Sequence, residues 1–286
     1  MSIQWFPGHM TRARRQIEEK LKLIDVAIEL LDARLPVSSR NPMVNDILGN
    51  KPRLVLLNKS DLADPAVTER WVKLLAADDI SALPIDAASG TGVNAILPRC
   101  RELMAPKFEA WARKGMSPRA IRTLIVGIPN VGKSTLINRL AGRSVAATGD
   151  RPGVTKGQQW IKVGADMDLL DTPGILWPKF DDAKVGYRLA ATGAIRDEIL
   201  HSEDVAFYLV KHLLTHYPGV FSERYGIDEL PDDAEDPQQV VALMEAVGRR
   251  RGCVMSGGKI DISKASDVLL RDLRTGKLGR ISMDIP

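Results

Sequence analysis

Thr123-Leu-Ile-Val-Gly-Ile-Pro-Asn-Val-Gly-Lys-Ser-Thr135 is the stretch whose reading decides the fold of this chain. Thr123 to Val126 reads as a buried strand, Gly127 to Ser134 fits the pattern GxxxxGK[ST], and Thr135 to Leu140 has the spacing of a helix. A strand that runs through a glycine-rich turn into a helix places backbone N–H groups at the positive end of that helix, where an anion is stabilised. Gly127 and Gly132 let the backbone wrap phosphates, so that the N–H groups of Asn130, Val131, Gly132, Lys133, Ser134 and Thr135 point inward. Lys133 then supplies a point charge for the β and γ phosphates, and Ser134 a hydroxyl for Mg²⁺.

Downstream, Leu169-Leu-Asp-Thr-Pro-Gly174 ends a strand with Asp171, a carboxylate where a phosphate-bound Mg²⁺ needs one. It is followed by Gly174, whose N–H can approach a γ-phosphate. Arg151-Pro-Gly-Val-Thr155 lies between the two motifs, and Thr155 is the candidate second hydroxyl ligand of Mg²⁺, one that orders a switch loop when the γ-phosphate is present. Lys133, Thr155 and Gly174 are therefore the candidate catalytic residues in this half of the site.

Working outward, short apolar runs recur at Val26 to Leu31, Arg53 to Leu57, Ala82 to Ile85 and Met167 to Leu170, each bounded by Gly, Pro, Asn or Asp. Helical spacing lies between them, as in Ala66 to Leu75 and Val93 to Leu103. Strands alternating with helices predict an α/β, doubly wound, mostly parallel sheet. After Trp177 the pattern is helical throughout, with Ser202 and Ser263 as expected N-caps. The expectation is a first domain over residues 1–177 and a smaller, mainly helical domain over 178–286. A composition 44% hydrophobic and 27% charged, with 23 Gly and 17 Pro, supports a buried core and excludes disorder. No run approaches the length of a membrane span, and residues 1–22 lack the apolar stretch of a signal peptide. Cys100 and Cys253 form no CxxC pair and read as packing residues in a reducing compartment.

Asn58-Lys-Ser-Asp61 directly follows the strand that ends at Leu57. A carboxylate such as Asp61 accepts two hydrogen bonds from the N1–H and the exocyclic amino group of guanine, a donor pair that adenine lacks. Asn58, Lys59, Ser60 and Asp61 therefore read as a guanine site. Asp86-Ala-Ala-Ser-Gly-Thr-Gly92 is a looser match to a loop that offers a backbone N–H to the guanine O6, with Asp86 in place of the usual Ser and Ala87 as the expected donor. The base motifs at 58 and 86 precede the phosphate motifs at 127 and 171, the reverse of the conventional order. A circular permutation leaves the site intact, because such sites form at the carboxyl ends of strands however the chain visits them.

This arrangement resembles the circularly permuted ribosome biogenesis GTPases of the YlqF/RbgA type. The likeness extends over the chain: Ile3-Gln-Trp-Phe-Pro-Gly-His-Met10, Leu31-Asp-Ala-Arg-Leu-Pro36, Ser39-Arg-Asn-Pro42, the base and phosphate motifs, and Thr192-Gly-Ala-Ile-Arg-Asp197. The resemblance implies a GTPase that takes GTP and Mg²⁺, releases GDP, and acts in the cytoplasm late in maturation of the large (50S) ribosomal subunit. Its expected partners are rRNA and ribosomal proteins of the subunit precursor; no oligomer is expected. Ile175 stands where many GTPases carry a water-orienting glutamine, so another group must place the water. His9 in the Trp5 to Met10 segment is the candidate, delivered when the ribosome orders that segment. By a similar resemblance to potassium-activated GTPases, Asn130 is a candidate K⁺ ligand near the phosphates.

A net charge of +4 is concentrated in three basic stretches, Arg12 to Lys22, Arg99 to Arg122 and Arg249 to Arg280. Three such runs in one chain point to a polyanion, with Arg249, Arg250, Arg251, Lys259 and Lys264 as candidate RNA contacts. His212 and His216 are four apart on a helix, but with no glutamate between them and no third ligand they read as packing or surface residues. The rival reading is a GTP-regulated RNA- or protein-binding module with negligible turnover.

Overall fold

A computed structural model describes residue 15 and residues 17–146, 159–172, 182–195 and 200–286. Strands β1 (Val26–Asp32), β2 (Arg53–Asn58), β3 (Ser81–Pro84), β4 (Ile121–Gly127), β5 (Gln159–Val163) and β6 (Met167–Asp171) form one sheet in the order β3-β2-β1-β4-β6-β5. The first four and β6 are parallel, and β5 pairs antiparallel with β6. Every residue of β1 is buried, as a central strand covered on both faces requires, so its run is apolar without alternation except at Glu29, which pairs with Arg40 and Arg53, and at the terminal Asp32. Cores form where Ile24 and Ala27 meet Val44, Leu124, Val126 and Leu170, and where Leu31, Val55 and Leu57 meet Ala63 and Leu75.

Because the central strands run the same way, their carboxyl ends collect along one edge. The register places Asp32 opposite Asn58 and Leu30 opposite Gly127. Leu124 pairs with Leu170, and the Thr172 hydroxyl donates to the Ile125 carbonyl at 2.6 Å, which brings Asp171 beside the phosphate strand. The connecting helices are α1 (Met43–Leu48), α2 (Pro65–Ala77), α3 (Ile96–Arg113) and α4 (Lys133–Ala141). Asp64 starts α2 by accepting from the Ala66 and Val67 N–H groups, with Pro65 in the first turn where its missing N–H costs nothing.

The described residues divide into two compact units, one of residues 15–172 with 284–286 and one of 182–283. The sequence places the last three residues with the helical domain; hydrogen bonds that Asp284 accepts from Ser38 and Trp71 put them in the first unit. The second unit is helical: α5 (Ala183–Ala191), α6 (Ser202–His216), α7 (Gly219–Tyr225), α8 (Pro237–Arg250) and α9 (Ile262–Arg274). Its core contains Leu209, Leu213, Phe221, Val240, Val247, Leu269 and Leu273. Asp272, buried, gathers Arg224 at 2.8 Å, the Tyr225 hydroxyl at 3.3 Å and Arg251 at 3.5 Å.

Some local expectations are corrected. Strand β5 was not anticipated: as an edge strand with Trp160 40% exposed, it lacks the buried run that marks the others. The expected helix from Val93 begins as a 3-10 turn, Val93–Ala95, and becomes α3 at Ile96. His201, not Ser202, stands at the N-terminal boundary of α6, without a side-chain hydrogen bond, and Asp261, not Ser263, caps α9 by accepting from the Lys264 N–H. Among the described residues no helix is long and apolar enough to cross a membrane.

Candidate functional site

The phosphate loop is built by local constraints on its two glycines. A Cβ at Gly127 would lie 2.6 Å from the Leu30 carbonyl of the neighbouring strand, so only glycine lets β4 end there. Gly132 has φ of 99°, and a side chain on it would overlap Asn58 Nδ2. Asn130 also adopts positive φ, at 56°, a conformation that asparagine tolerates better than most residues. Helix α4 begins directly at Lys133, so Ser134 and Thr135 lie in its first turn, where N–H groups have no intrahelical acceptor.

The guanine motif is stitched to this loop. Asn58 Nδ2 donates to the Val131 carbonyl at 2.8 Å, and Lys59 Nζ donates to the Asn130 carbonyl at 2.9 Å. Lys59 itself sits in positive φ at 59°, and its ammonium pairs with Asp32 Oδ2 at 3.4 Å. Ser60 N–H donates to the Ile85 carbonyl, joining the two base loops, and Asp61 is exposed with its carboxylate toward solvent. Residues separated by 73 and 71 positions in the chain are thus hydrogen-bonded to each other.

The second base loop is tied to the first. The Ala87 N–H, expected to serve a guanine oxygen, donates to Asn58 Oδ1 at 3.0 Å. The Ala88 and Ser89 N–H groups donate to the Asp86 carboxylate at 2.8 and 3.1 Å. Asp86 therefore shapes its own turn: partial burial acts to raise its pKa, but these hydrogen bonds and the charge of Arg139 outweigh burial and lower it. Arg139 was not anticipated. From α4 it donates to the Ala87 carbonyl at 3.3 Å and also to the Ala88 carbonyl, tying the base loop to the phosphate helix. Only its position two turns beyond Lys133 hinted at this, since an arginine on a helix reads by default as solvated.

Lys133 and Asp171 carry the electrostatics. Lys133 is buried and donates to the Gly127 and Ile128 carbonyls at 3.2 and 2.9 Å. Burial pulls its pKa down to about 8, against the opposing charge of Asp171. Asp171 is 1% exposed, and neither carboxylate oxygen has a hydrogen-bond partner among the described residues. Burial pushes its pKa up to about 6, moderated by Lys133. An orphaned buried carboxylate at the strand edge beside the phosphate loop fits a cation bound there. His9, Thr155, Gly174 and Ile175 lie outside the described residues.

In the helical unit the basic candidates separate. Arg250 donates to the Gly226 carbonyl at the end of α7, Arg251 pairs with Asp272 and lies 5.2 Å from the Tyr225 ring centroid, and Lys264 pairs with Asp261 at 3.3 Å. Arg249 and Lys259 are exposed. His212 Nε2 donates to the Ser282 carbonyl at 2.8 Å, and burial lowers its pKa to about 4, so it packs in the neutral form. Among the described residues no group of three or more His, Cys, Asp or Glu is placed to hold a metal, and both cysteines are buried thiols.

A strand order that joins guanine motif to phosphate loop out of the usual sequence defines the class, a circularly permuted GTPase. The family described as 50S ribosome-binding GTPase matches residues 122–241. The fold is similar to a GDP-bound structure of YlqF (TM-score 0.67, 26% identity, 95% of this chain and 99% of that one). It is likewise similar to GNP-bound YlqF from T. maritima (TM-score 0.65, 26% identity, 96% and 98%). The ribosome biogenesis GTPase A of Priestia megaterium is 56% identical across 100% of this chain and 98% of its own length. The mitochondrial ribosome-associated GTPase 1 of Mus musculus is 32% identical across 98% and 90%. The chain belongs to the ribosome biogenesis GTPase A family, and with it to the GTPases that act in ribosome assembly.

Proposed function

We propose that this chain binds GTP along the carboxyl edge of its sheet and hydrolyses it in the cytoplasm as a step in maturation of the large ribosomal subunit, engaging rRNA through its helical unit. The observation that carries the site assignment is the pair of hydrogen bonds from Asn58 and Lys59 to the carbonyls of Val131 and Asn130. They set the guanine-reading carboxylate of Asp61 and the phosphate-binding turn at a fixed separation, as a single nucleotide requires.

In the mechanism, the α4 N-terminus and the Lys133 ammonium take the phosphates, and a bound triphosphate holds Lys133 protonated against its desolvation. Asp171 and Ser134 are the residues to hold Mg²⁺, with Thr155 joining them when the triphosphate is present. Mg²⁺ supplies charge neutralisation across the β and γ phosphates. Gly174 N–H is placed by sequence to sense the γ-phosphate, and His9 to orient the attacking water. The Asn130 side chain is the proposed K⁺ ligand; equal turnover in K⁺ and Na⁺ removes that assignment. In the helical unit, Arg249, Arg250, Arg251, Lys259 and Lys264 are all exposed and are the proposed phosphate contacts, Arg250, Arg251 and Lys264 having protein partners as well.

Calorimetry with GDP, GTP, ADP and ATP tests the base reading, with a guanine preference of at least about a hundredfold expected from two charge-assisted hydrogen bonds. Asp61→Asn should lose that preference and gain affinity for xanthine nucleotides, whose oxygen replaces the amino donor. Turnover measured with and without large-subunit particles tests the ribosomal step, and His9→Ala should bind GTP normally while losing the stimulated rate.

A further inference from the structure

The motif Leu31-Asp-Ala-Arg-Leu-Pro36 has no role in nucleotide binding by itself, yet it is among the most deeply buried polar segments of the described chain. Asp32 ends β1 and accepts from Arg34 three times: from the backbone N–H at 3.0 Å, from Nε at 2.9 Å and from Nη2 at 2.7 Å. Arg34 is 1% exposed, so this bidentate pair is held without solvent. The second oxygen of Asp32 also faces Lys59 Nζ at 3.4 Å, the same ammonium that donates to the Asn130 carbonyl of the phosphate loop. A chain of charge contacts therefore runs Arg34 to Asp32 to Lys59 to Asn130.

The loop that follows Arg34 is not closed by its own residues alone. Asp284, 246 positions beyond Ser38, lies in the first unit although it follows the helical unit in sequence. Its carboxylate accepts from the Val37 N–H at 2.8 Å, the Ser38 N–H at 2.7 Å and the Ser38 hydroxyl at 2.7 Å. Its own N–H donates to the Arg34 carbonyl at 3.2 Å, and its carbonyl accepts from Trp71 Nε1 of α2 at 3.0 Å. The next residue of the loop, Ser39, accepts the Asp32 N–H on its hydroxyl at 3.0 Å. Asp284 thus fastens both the loop that carries Arg34 and the helix that follows the guanine motif.

We propose that Asp32 and Arg34 are positioning residues for Lys59, and that Asp284 keeps their loop in the shape this requires, so that guanine-nucleotide affinity depends on a residue supplied from beyond the helical unit. Lys59 is a flexible side chain in a positive-φ backbone, and one ammonium meets both the Asn130 carbonyl and Asp32 Oδ2, so the carboxylate fixes where it sits. Release of the loop at residues 37 and 38 frees Arg34 and lets Asp32 turn away from Lys59. The inference rests on the reading of Lys59 as a nucleotide-site residue.

The test measures the GDP dissociation constant of the full chain for wild type, Asp284→Ala, Lys59→Met and the double variant, alongside thermal melting. Asp284→Ala should weaken GDP about tenfold, the loss of about one good hydrogen-bonded contact. In the Lys59→Met background it should cause no further loss, because its effect passes through Lys59; a merely structural role would weaken both backgrounds alike. Folded Asp284→Ala with wild-type affinity, or equal losses in both backgrounds, overturns the proposal. Lys59→Met with unchanged affinity overturns the site assignment instead. Where Asp284→Ala gives no cooperative melt, Asp284→Asn, which keeps one acceptor oxygen, is judged by the same comparison, with a loss of about threefold expected.

Discussion

Asp171→Asn should make the nucleotide-free protein more stable while removing its Mg²⁺-dependent affinity for GTP. In the folded chain the carboxyl is 1% exposed and without a hydrogen-bond partner among the described residues. Its pKa stands at about 6 against an ordinary 3.8. That displacement corresponds to about 3 kcal/mol of penalty on the ionised form at neutral pH. The opposing charge of Lys133 is already contained in that displacement, so relieving it is worth about 2–3 kcal/mol. For a unit of this size that is a rise in melting temperature of roughly 4–12 °C. The sign with pH follows from a raised folded-state pKa: the group's contribution is fully present below about 3.8 and is lost as pH rises through about 6. The advantage of the asparagine variant should therefore be near zero at about pH 4 and complete above about pH 7. Thermal melts of metal- and nucleotide-free protein across that range are the assay. A variant less stable than wild type at pH 7, or a gap indifferent to pH, would refute the reasoning.

Lys133, with its pKa drawn down to about 8, predicts proton uptake when Mg²⁺-free GDP binds above that pH, because phosphate restores the ammonium. Calorimetry at pH 8.5 in buffers of different ionisation enthalpy should reveal it, and the uptake should vanish near pH 6.5. Arg139→Ala, which frees the Ala87 and Ala88 carbonyls, should weaken GDP about three- to tenfold and leave pyrophosphate binding unchanged, as competition titrations would show. Asp272→Ala leaves Arg224, Arg251 and the Tyr225 hydroxyl without their acceptor and should destabilise the helical unit by about 2–4 kcal/mol. Denaturant melts should register the loss with GDP affinity intact.

Parallel strands, the phosphate loop and the guanine motif were all legible in the linear order of residues, because each depends on local chemistry. A buried strand is a mostly apolar run without alternation, a phosphate turn needs glycine where Gly132 adopts its positive φ, and guanine needs a carboxylate such as Asp61. Even the permutation could be read, since order along the chain is what it alters. What the linear order withheld is which partner each polar group takes once distant segments meet. The Ala87 N–H meets Asn58 Oδ1, Arg139 ties the base loop to the phosphate helix, and Arg250, Arg251 and Lys264 take partners within the helical unit while staying exposed. The role of Asp284 was equally hidden, for no spacing rule connects it to Ser38. Hydrogen bonds and ion pairs act over a few ångströms, and a buried donor or acceptor must find its partner within that reach. Only the folded chain determines who is there.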